Sequence, residues 1–125
     1  MTDKWGPAWW GFLHSLAESY PCRPCAAERR AARHVVEALV VLLPCPRCRR
    51  HFGELLRRRP VDVRGRVELA EWMWSAHNEV NARLGKPRVP REEALAGLEE
   101  CDAAAARRDG GDGAAAARVR QFGLL

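Results

Sequence analysis

The chain has 125 residues, 47% of them hydrophobic and 30% charged, which is enough for one domain with a single core. It contains no run of about 18 apolar residues and no secretory signal pattern, so we expect an intracellular protein that needs no membrane partner. The formal net charge is +5, and arginines cluster between Arg47 and Arg59. No base-stacking loop or recognition motif accompanies them. We therefore predict a solvated helix face or an anion-attracting site there, and no nucleic-acid partner.

The first predicted element is a helix that begins near Pro7, because proline suits a first helical turn, and stops at Pro21. Three tryptophans near its start carry more apolar surface than one short helix can bury by itself. We therefore expect this helix to pack against a large partner surface. Its apolar side chains follow at helical spacing: Trp10, Leu13, Ala17 and Tyr20.

The second predicted helix runs from Ala27 to Leu43 and follows a turn that contains Cys22 and Cys25. Pro44 ends it, and a third helix starts within Cys45 to Cys48. The second helix presents one apolar stripe, formed by Ala32, Val35, Val36, Leu39, Val40 and Leu43, and the third carries Phe52, Leu55 and Leu56.

The fourth predicted helix is the longest, from Val67 to Leu84, with Gly85 as its left-handed cap. A fifth helix is predicted from Pro90 to Cys101. Since no segment alternates with a period of two, the fold class is predicted as all-α, a four-helix bundle with a short fifth helix. The composition then changes to alanine, arginine and glycine. This predicts a domain over residues 1–101 and a mobile tail over 102–125.

The motif Cys45-Pro-Arg-Cys48 is the first chemical signal. At a helix start, a sulfur lies near unpaired backbone N–H groups, where the helix dipole and neighbouring arginines favour a thiolate. Disulfide exchange requires a thiolate, so the pair is a candidate redox-active disulfide. On spacing alone, half of a zinc site remains an alternative.

The fourth helix is the second signal, because Trp74, His77 and Asn81 share a face with Ala70 and Leu84. Burying a polar side chain without a partner costs about 1–3 kcal/mol, so both polar residues need one. Internal hydrogen bonds would satisfy them. A bound flat cofactor with polar edges and phosphates also explains Trp74 and the nearby Lys86.

Three blocks in this order, WGPAWWGFLHSLAESYP, LLPCPRCRRHF and HNEVNARLGKP, resemble the signature blocks of the Erv/Alr family of FAD-dependent sulfhydryl oxidases. The resemblance spans Trp5 to Pro87. It implies a four-helix bundle with a short fifth helix that holds FAD in the bundle mouth, assembled as a homodimer. It also implies oxidation of a thiol-containing protein substrate or a small dithiol, with electrons passed to dioxygen and hydrogen peroxide released.

The same resemblance implies roles for individual residues. Cys48 would lie against the isoalloxazine ring, and Cys45 would be the sulfur that incoming thiols attack. The residues that match the family's flavin-contacting positions are Gly6, Trp10, His14, Tyr20, His77, Asn78, Val80, Asn81, Leu84 and Lys86.

Two features depart from the family pattern. Many members carry a cysteine at the position of Trp74, bridged to another shortly after the Gly-Lys-Pro, and that disulfide looks absent here. The role of Cys101 is open between a buried thiol and a distal redox or intersubunit cysteine. Cys22 and Cys25 could form a shuttle disulfide, a structural disulfide or half of a metal site.

The alternative function is a four-cysteine zinc module that binds nucleic acid or another protein. Cys22-x-x-Cys25 and Cys45-x-x-Cys48, with 19 residues between the pairs, have suitable spacing. This reading leaves the tryptophan-rich first block and the polar residues of the fourth helix unexplained. We therefore predict the flavoenzyme and no metal site.

Overall fold

The computed structural model describes residues 2–98, 100 and 101, and these form helices without any strand. The helices are α1 (Thr2–Glu18), α2 (Ala26–Leu42), α3 (Pro46–Arg58), α4 (Arg66–Leu84) and α5 (Arg91–Ala94). The predicted all-α bundle with a short fifth helix is confirmed. None of these described helices has both the length and the apolarity to cross a membrane. The predicted tail, 102–125, lies outside the described residues, so its boundary stays a prediction.

The bundle consists of two helix pairs, α1 with α4 and α2 with α3, and α5 packs on α4. Their apolar faces meet in one core, and burying each large aliphatic side chain contributes about 1.5–3 kcal/mol. The buried side chains include Leu13 and Ala17 of α1, Val36 and Leu39 of α2, Phe52 and Leu55 of α3, and Leu69, Met73 and Ala76 of α4.

Helix α1 starts at Thr2, so Pro7 lies inside the helix and not in its first turn as predicted. Proline lacks an N–H and cannot donate to the carbonyl four residues back. Trp5, in the turn before the proline, packs partly buried against the core. That packing holds the N-terminal turns despite the missing hydrogen bond.

Helix α2 begins at a cysteine cap. The backbone N–H of Glu28 donates to Cys25 Sγ over 3.5 Å, and the N–H of Cys25 donates to Glu28 Oε1 over 3.0 Å. This reciprocal arrangement satisfies two helix-end donors. At the other end of the fold, Gly85 terminates α4 with φ of 72°, the left-handed cap that the sequence predicts.

A disulfide joins Cys22, in the turn after α1, to Cys101, with Cα atoms 5.5 Å apart. Cys22 and Cys25 are therefore not bonded to each other in this structure. The predicted fifth helix up to Cys101 is wrong, because α5 ends at Ala94. A helix this short gains little cooperative stability, and Gly97 further weakens the predicted continuation.

The alternative of a four-cysteine zinc site is also wrong. It requires Cys22, Cys25, Cys45 and Cys48 to converge, whereas Cys22 is covalently held by Cys101. Within the described part of the chain, no group of three or more His, Cys, Asp or Glu side chains is placed to hold a metal ion.

Candidate functional site

A cavity of about 460 Å³ opens in the bundle between α1, α3, α4 and the C-terminal end of α2. Its volume lies within the range of roughly 300–1,000 Å³ that is common for cofactor sites. The walls are mainly aromatic and aliphatic, with a few polar groups. They include Trp5, Trp9 and Trp10 of α1, Leu39 of α2, Cys48, Phe52 and Leu55 of α3, and His77, Val80 and Asn81 of α4.

Eight of the ten residues predicted to contact the cofactor line this cavity. Helices α1 and α4 pack side by side, so residues distant in sequence face one space. The eight are Gly6, Trp10, His14, His77, Val80, Asn81, Leu84 and Lys86.

The structure does not bring Tyr20 and Asn78 to the cavity. The Tyr20 hydroxyl donates to the Val63 carbonyl over 2.8 Å, and burial raises the pKa of Tyr20 to about 12. Arg66 donates to the Tyr20 carbonyl over 2.6 Å. Tyr20 therefore fastens the end of α1 to the loop before α4.

The side chains of Trp74 and Asn78 hold the segment after α4. Trp74 Nε1 donates to the Val89 carbonyl over 2.8 Å, and Asn78 Nδ2 donates to the same oxygen over 2.9 Å. The Val89 N–H donates to Asn78 Oδ1 over 2.8 Å. Although the helical period places Trp74 on the face of His77 and Asn81, Trp74 does not line the cavity, and Trp10 supplies an aromatic wall.

Trp10, His14 and His77 form an aromatic cluster in the wall of the cavity. The rings of Trp10 and His77 stack with centroids 4.2 Å apart and an interplanar angle of 9°. His14 Nε2 and His77 Nδ1 are 2.9 Å apart, a hydrogen bond between two rings. Burial lowers the pKa of His14, and burial together with His14 and Lys86 lowers the pKa of His77 to about 4. The pair is therefore neutral at pH 7, with one ring donating and the other accepting.

Asn81 differs from His77 in its hydrogen bonding. The residue is 7% exposed and lines the cavity. Among the described residues, no side-chain or backbone group hydrogen-bonds its amide. No side-chain N or O atom of the described residues is both fully buried and without a partner, so the amide atoms are reachable from the cavity and available to a ligand with a polar edge.

Cys45 and Cys48, at the start of α3, have different surroundings. Cys45 caps α3 and accepts the Cys48 backbone N–H over 3.2 Å. Cys48 lines the cavity, whereas Cys45 lies outside its wall. The hydrogen bond from the Cys48 thiol is the main cause that lowers the pKa of Cys45, and burial raises the pKa of Cys48 to about 11. In the dithiol form, the outer sulfur is thus the more acidic of the two and the first to form a thiolate.

This difference predicts the order of alkylation. When the reduced protein is treated with iodoacetamide near pH 7, Cys45 should be modified at least about tenfold faster than Cys48, because the thiolate is the nucleophile. Mass spectrometry of peptides at short times measures the ratio. In urea-unfolded protein the two rates should converge, and faster modification of Cys48 in the folded protein would contradict the assignment.

Several cavity residues were not predicted from the sequence. Phe52 and Leu55 follow Cys48 at steps of four and seven, so they share its helix face and the spacing could have found them. Arg83 and His51 also line the cavity. Nothing in the local sequence separates Arg83 from the other exposed arginines.

Comparisons with known proteins agree with this geometry. The sequence model of the Erv1/Alr family matches residues 7–99. The chain is 38% identical over 88 residues to FAD-linked sulfhydryl oxidase ERV1 of Oryza sativa, covering 70% of this chain and 45% of that protein. It is 36% identical over 99 residues to FAD-linked sulfhydryl oxidase ERV1 of Arabidopsis thaliana, covering 78% of this chain and 52% of that protein. This chain therefore spans about half the length of these relatives.

A solved structure has the same fold. The FAD-binding domain of Erv1 from Saccharomyces cerevisiae superposes with a TM-score of 0.72 at 31% identity. The superposition covers 74% of this chain and 89% of that domain.

Proposed function

Because this chain belongs to the Erv1/Alr family, we propose that it is an FAD-linked sulfhydryl oxidase that makes disulfides in thiol-containing substrates. The observation that carries the proposal is the position of Cys48. It lies in the wall of an aromatic cavity, while Cys45 stands beside it outside that wall. One sulfur can therefore meet a cofactor and the other can meet a substrate.

The residues of the cavity fit FAD. The stacked Trp10 and His77 rings offer a flat wall to a ring system, and the open Asn81 amide can bond a polar edge. The exposed cations Arg83 and Lys86 line the same cavity and suit phosphates. When bound, FAD would supply the chemistry that side chains lack, namely acceptance of an electron pair from Cys48 and its delivery to dioxygen, with hydrogen peroxide as product.

The protein's own part of the reaction is thiol–disulfide exchange. A substrate thiolate attacks Cys45 Sγ, the Cys45–Cys48 bond breaks, and Cys48 leaves with the electron pair. A second substrate thiolate then attacks the substrate sulfur of the mixed disulfide and releases Cys45. The lowered pKa of Cys45 makes it a good leaving group in this step. Two electrons have then moved from the substrate dithiol to the cysteine pair.

We also propose a protein dithiol as the substrate and a homodimer as the assembly, as the family resemblance implies. Exposed apolar side chains are available for association, with Phe12 of α1 at 55% exposure and Val41 of α2 at 72%. The shuttle role of Cys22 and Cys25 stays a prediction. Since Cys22 is bonded to Cys101, that role first requires Cys25 to displace Cys101.

The first test is a visible absorption spectrum of the purified protein, followed by oxygen-electrode assays with dithiothreitol. We expect one FAD for each chain and oxygen consumption that depends on the dithiol. Protein that binds no flavin, even when FAD is added during purification, would contradict the proposal. So would protein that holds FAD but consumes no oxygen with any dithiol.

A further inference from the structure

The arginines at the Cys45 end of α3 differ from those at its other end. Beyond the C-terminal end of α3, Arg59 bonds Glu79 over 2.8 Å and Arg64 bonds Asp62 over 2.7 Å. Arg47 and Arg50, in the first turns of α3, are exposed and form no salt bridge with any residue that the structure describes. Within the described part of the chain, the positive charge near Cys45 is therefore not neutralised by a salt bridge from these two arginines to a carboxylate.

Both arginines follow Cys45 within two helical turns, and Arg47 also lines the cavity. Arg47 lies between the two cysteines in sequence, and its charge contributes to the lowered pKa of Cys45 after the larger effect of the Cys48 hydrogen bond. Burial lowers the pKa of His51, and the charges of Arg83, Arg50 and Arg47 lower it further.

Two carboxylates lie near these arginines, but neither cancels their positive charge. The Glu54 carboxylate raises the pKa of His51, against the effect of the arginines, yet it forms no salt bridge within the described chain. Glu79 lines the cavity, yet Arg58 and Arg59 already bind it. The partial positive charge at the N-terminal end of α3 has the same sign as the arginines.

We propose that the enzyme selects dithiols that carry negative charge beside their cysteines, with Arg47 and Arg50 as the specificity-determining residues. The inference rests on the proposed function, because Cys45 must be the sulfur that the substrate attacks. The substrate class is a flexible peptide segment in which acidic side chains flank a cysteine pair. The exchange balances as described above: the substrate dithiol loses two electrons, and the Cys45–Cys48 disulfide gains them.

The size of the preference follows from surface electrostatics. Opposite charges that approach at the surface gain a few-fold in affinity or rate per pair at low salt. Since neither arginine forms a salt bridge in the described chain, we expect an acidic peptide to exceed a basic one by roughly tenfold in kcat/KM. The ratio should fall toward one at about 1 M salt, where the screening length shrinks to about 3 Å.

The test uses three synthetic peptides that share one Cys-x-x-Cys dithiol and differ only in flanking Glu, Gln or Lys residues. Oxygen consumption by the FAD-loaded enzyme gives kcat/KM for each peptide and for dithiothreitol as a neutral reference. Arg47→Gln, Arg50→Gln and the double variant should bring the acidic-to-basic ratio near one. The measurement that decides is the ratio of kcat/KM for the acidic peptide to kcat/KM for the basic peptide. The rate alone is not sufficient, because Arg47 also lowers the pKa of Cys45, and its loss therefore changes the rate with every thiol.

Arg64→Gln is the matched control. It removes the same charge beyond the far end of α3, which spans 13 residues or roughly 20 Å, and should leave the ratio unchanged. Equal rates with all three peptides, while dithiothreitol is oxidised, would overturn the inference and leave the oxidase intact. A preference that survives in the double variant would also overturn it. Failure to oxidise dithiothreitol or any peptide would instead overturn the proposed function.

Discussion

Replacing Cys48 with serine is expected to lower dithiol-dependent oxygen consumption on the order of a thousandfold or more, while the protein keeps its FAD. Serine cannot form the disulfide that the substrate reduces, so no electron pair reaches the cavity. The replacement is nearly the same size, and the other cavity walls come from Trp10, His77 and Phe52. The flavin absorbance of the purified variant and its oxygen uptake are the two measurements.

Two companion variants sharpen this test. Cys45→Ser should lose activity to a similar extent, because the outer sulfur receives the substrate. Cys101→Ser, assayed with dithiothreitol below its melting temperature, is the matched control and should retain oxidation. If Cys48→Ser retained full activity, the assigned relay would be wrong. Loss of the FAD together with the activity would show that Cys48 holds the cofactor in place.

Replacing Cys101 with serine is expected to lower the free energy of unfolding by about 2–4 kcal/mol. Its disulfide with Cys22 closes a sequence separation of 79 residues and so removes much chain entropy from the unfolded state. Urea unfolding under non-reducing conditions, followed by circular dichroism, measures the loss. The loss should appear as a lower denaturation midpoint.

A double-mutant cycle separates the effect of losing the disulfide on the free energy of unfolding from the effects of replacing each cysteine side chain. Cys22→Ser should cost about as much as Cys101→Ser, and the double variant should cost no more than either single one, since each breaks the same bond. Losses that add in the double variant, or single variants as stable as the parent protein, would contradict a disulfide between these residues. Refolding all samples with FAD omitted keeps ligand binding from masking the difference.

Local signals in the sequence predicted the helices and most of the cavity. Pro44 ends α2 because proline restricts the backbone, and Gly85 ends α4 because glycine tolerates a positive φ. Neither effect depends on contacts with distant residues. The helical period placed His77 and Asn81 on one face, and the Cys-x-x-Cys spacing placed Cys48 one turn inside α3. These properties depend on residues within a few positions of one another.

The direction of Trp74 and Asn78 shows where local signals were insufficient. Both share α4 with the cavity residues, but their polar groups bind the backbone of Val89. The family resemblance implies, for many members, a disulfide from the position of Trp74. In this chain, hydrogen bonds from Trp74 and Asn78 hold the segment instead. They form only because the chain after Gly85 folds back and brings the Val89 backbone next to α4.

By itself, then, the sequence determined the helical class, the helix ends near proline and glycine, the redox pair and the faces that meet at the cavity. Tertiary structure decided the Cys22–Cys101 connection, the end of α5 at Ala94 and the structural role of Tyr20. It also decided that Arg47 and Arg50 form no salt bridge with any residue that the structure describes. The physical reason is the distance along the chain over which each interaction acts. Helical periodicity and backbone preference act over one or two turns, whereas disulfide partners, hydrogen-bond acceptors and compensating charges come from segments that only folding brings together.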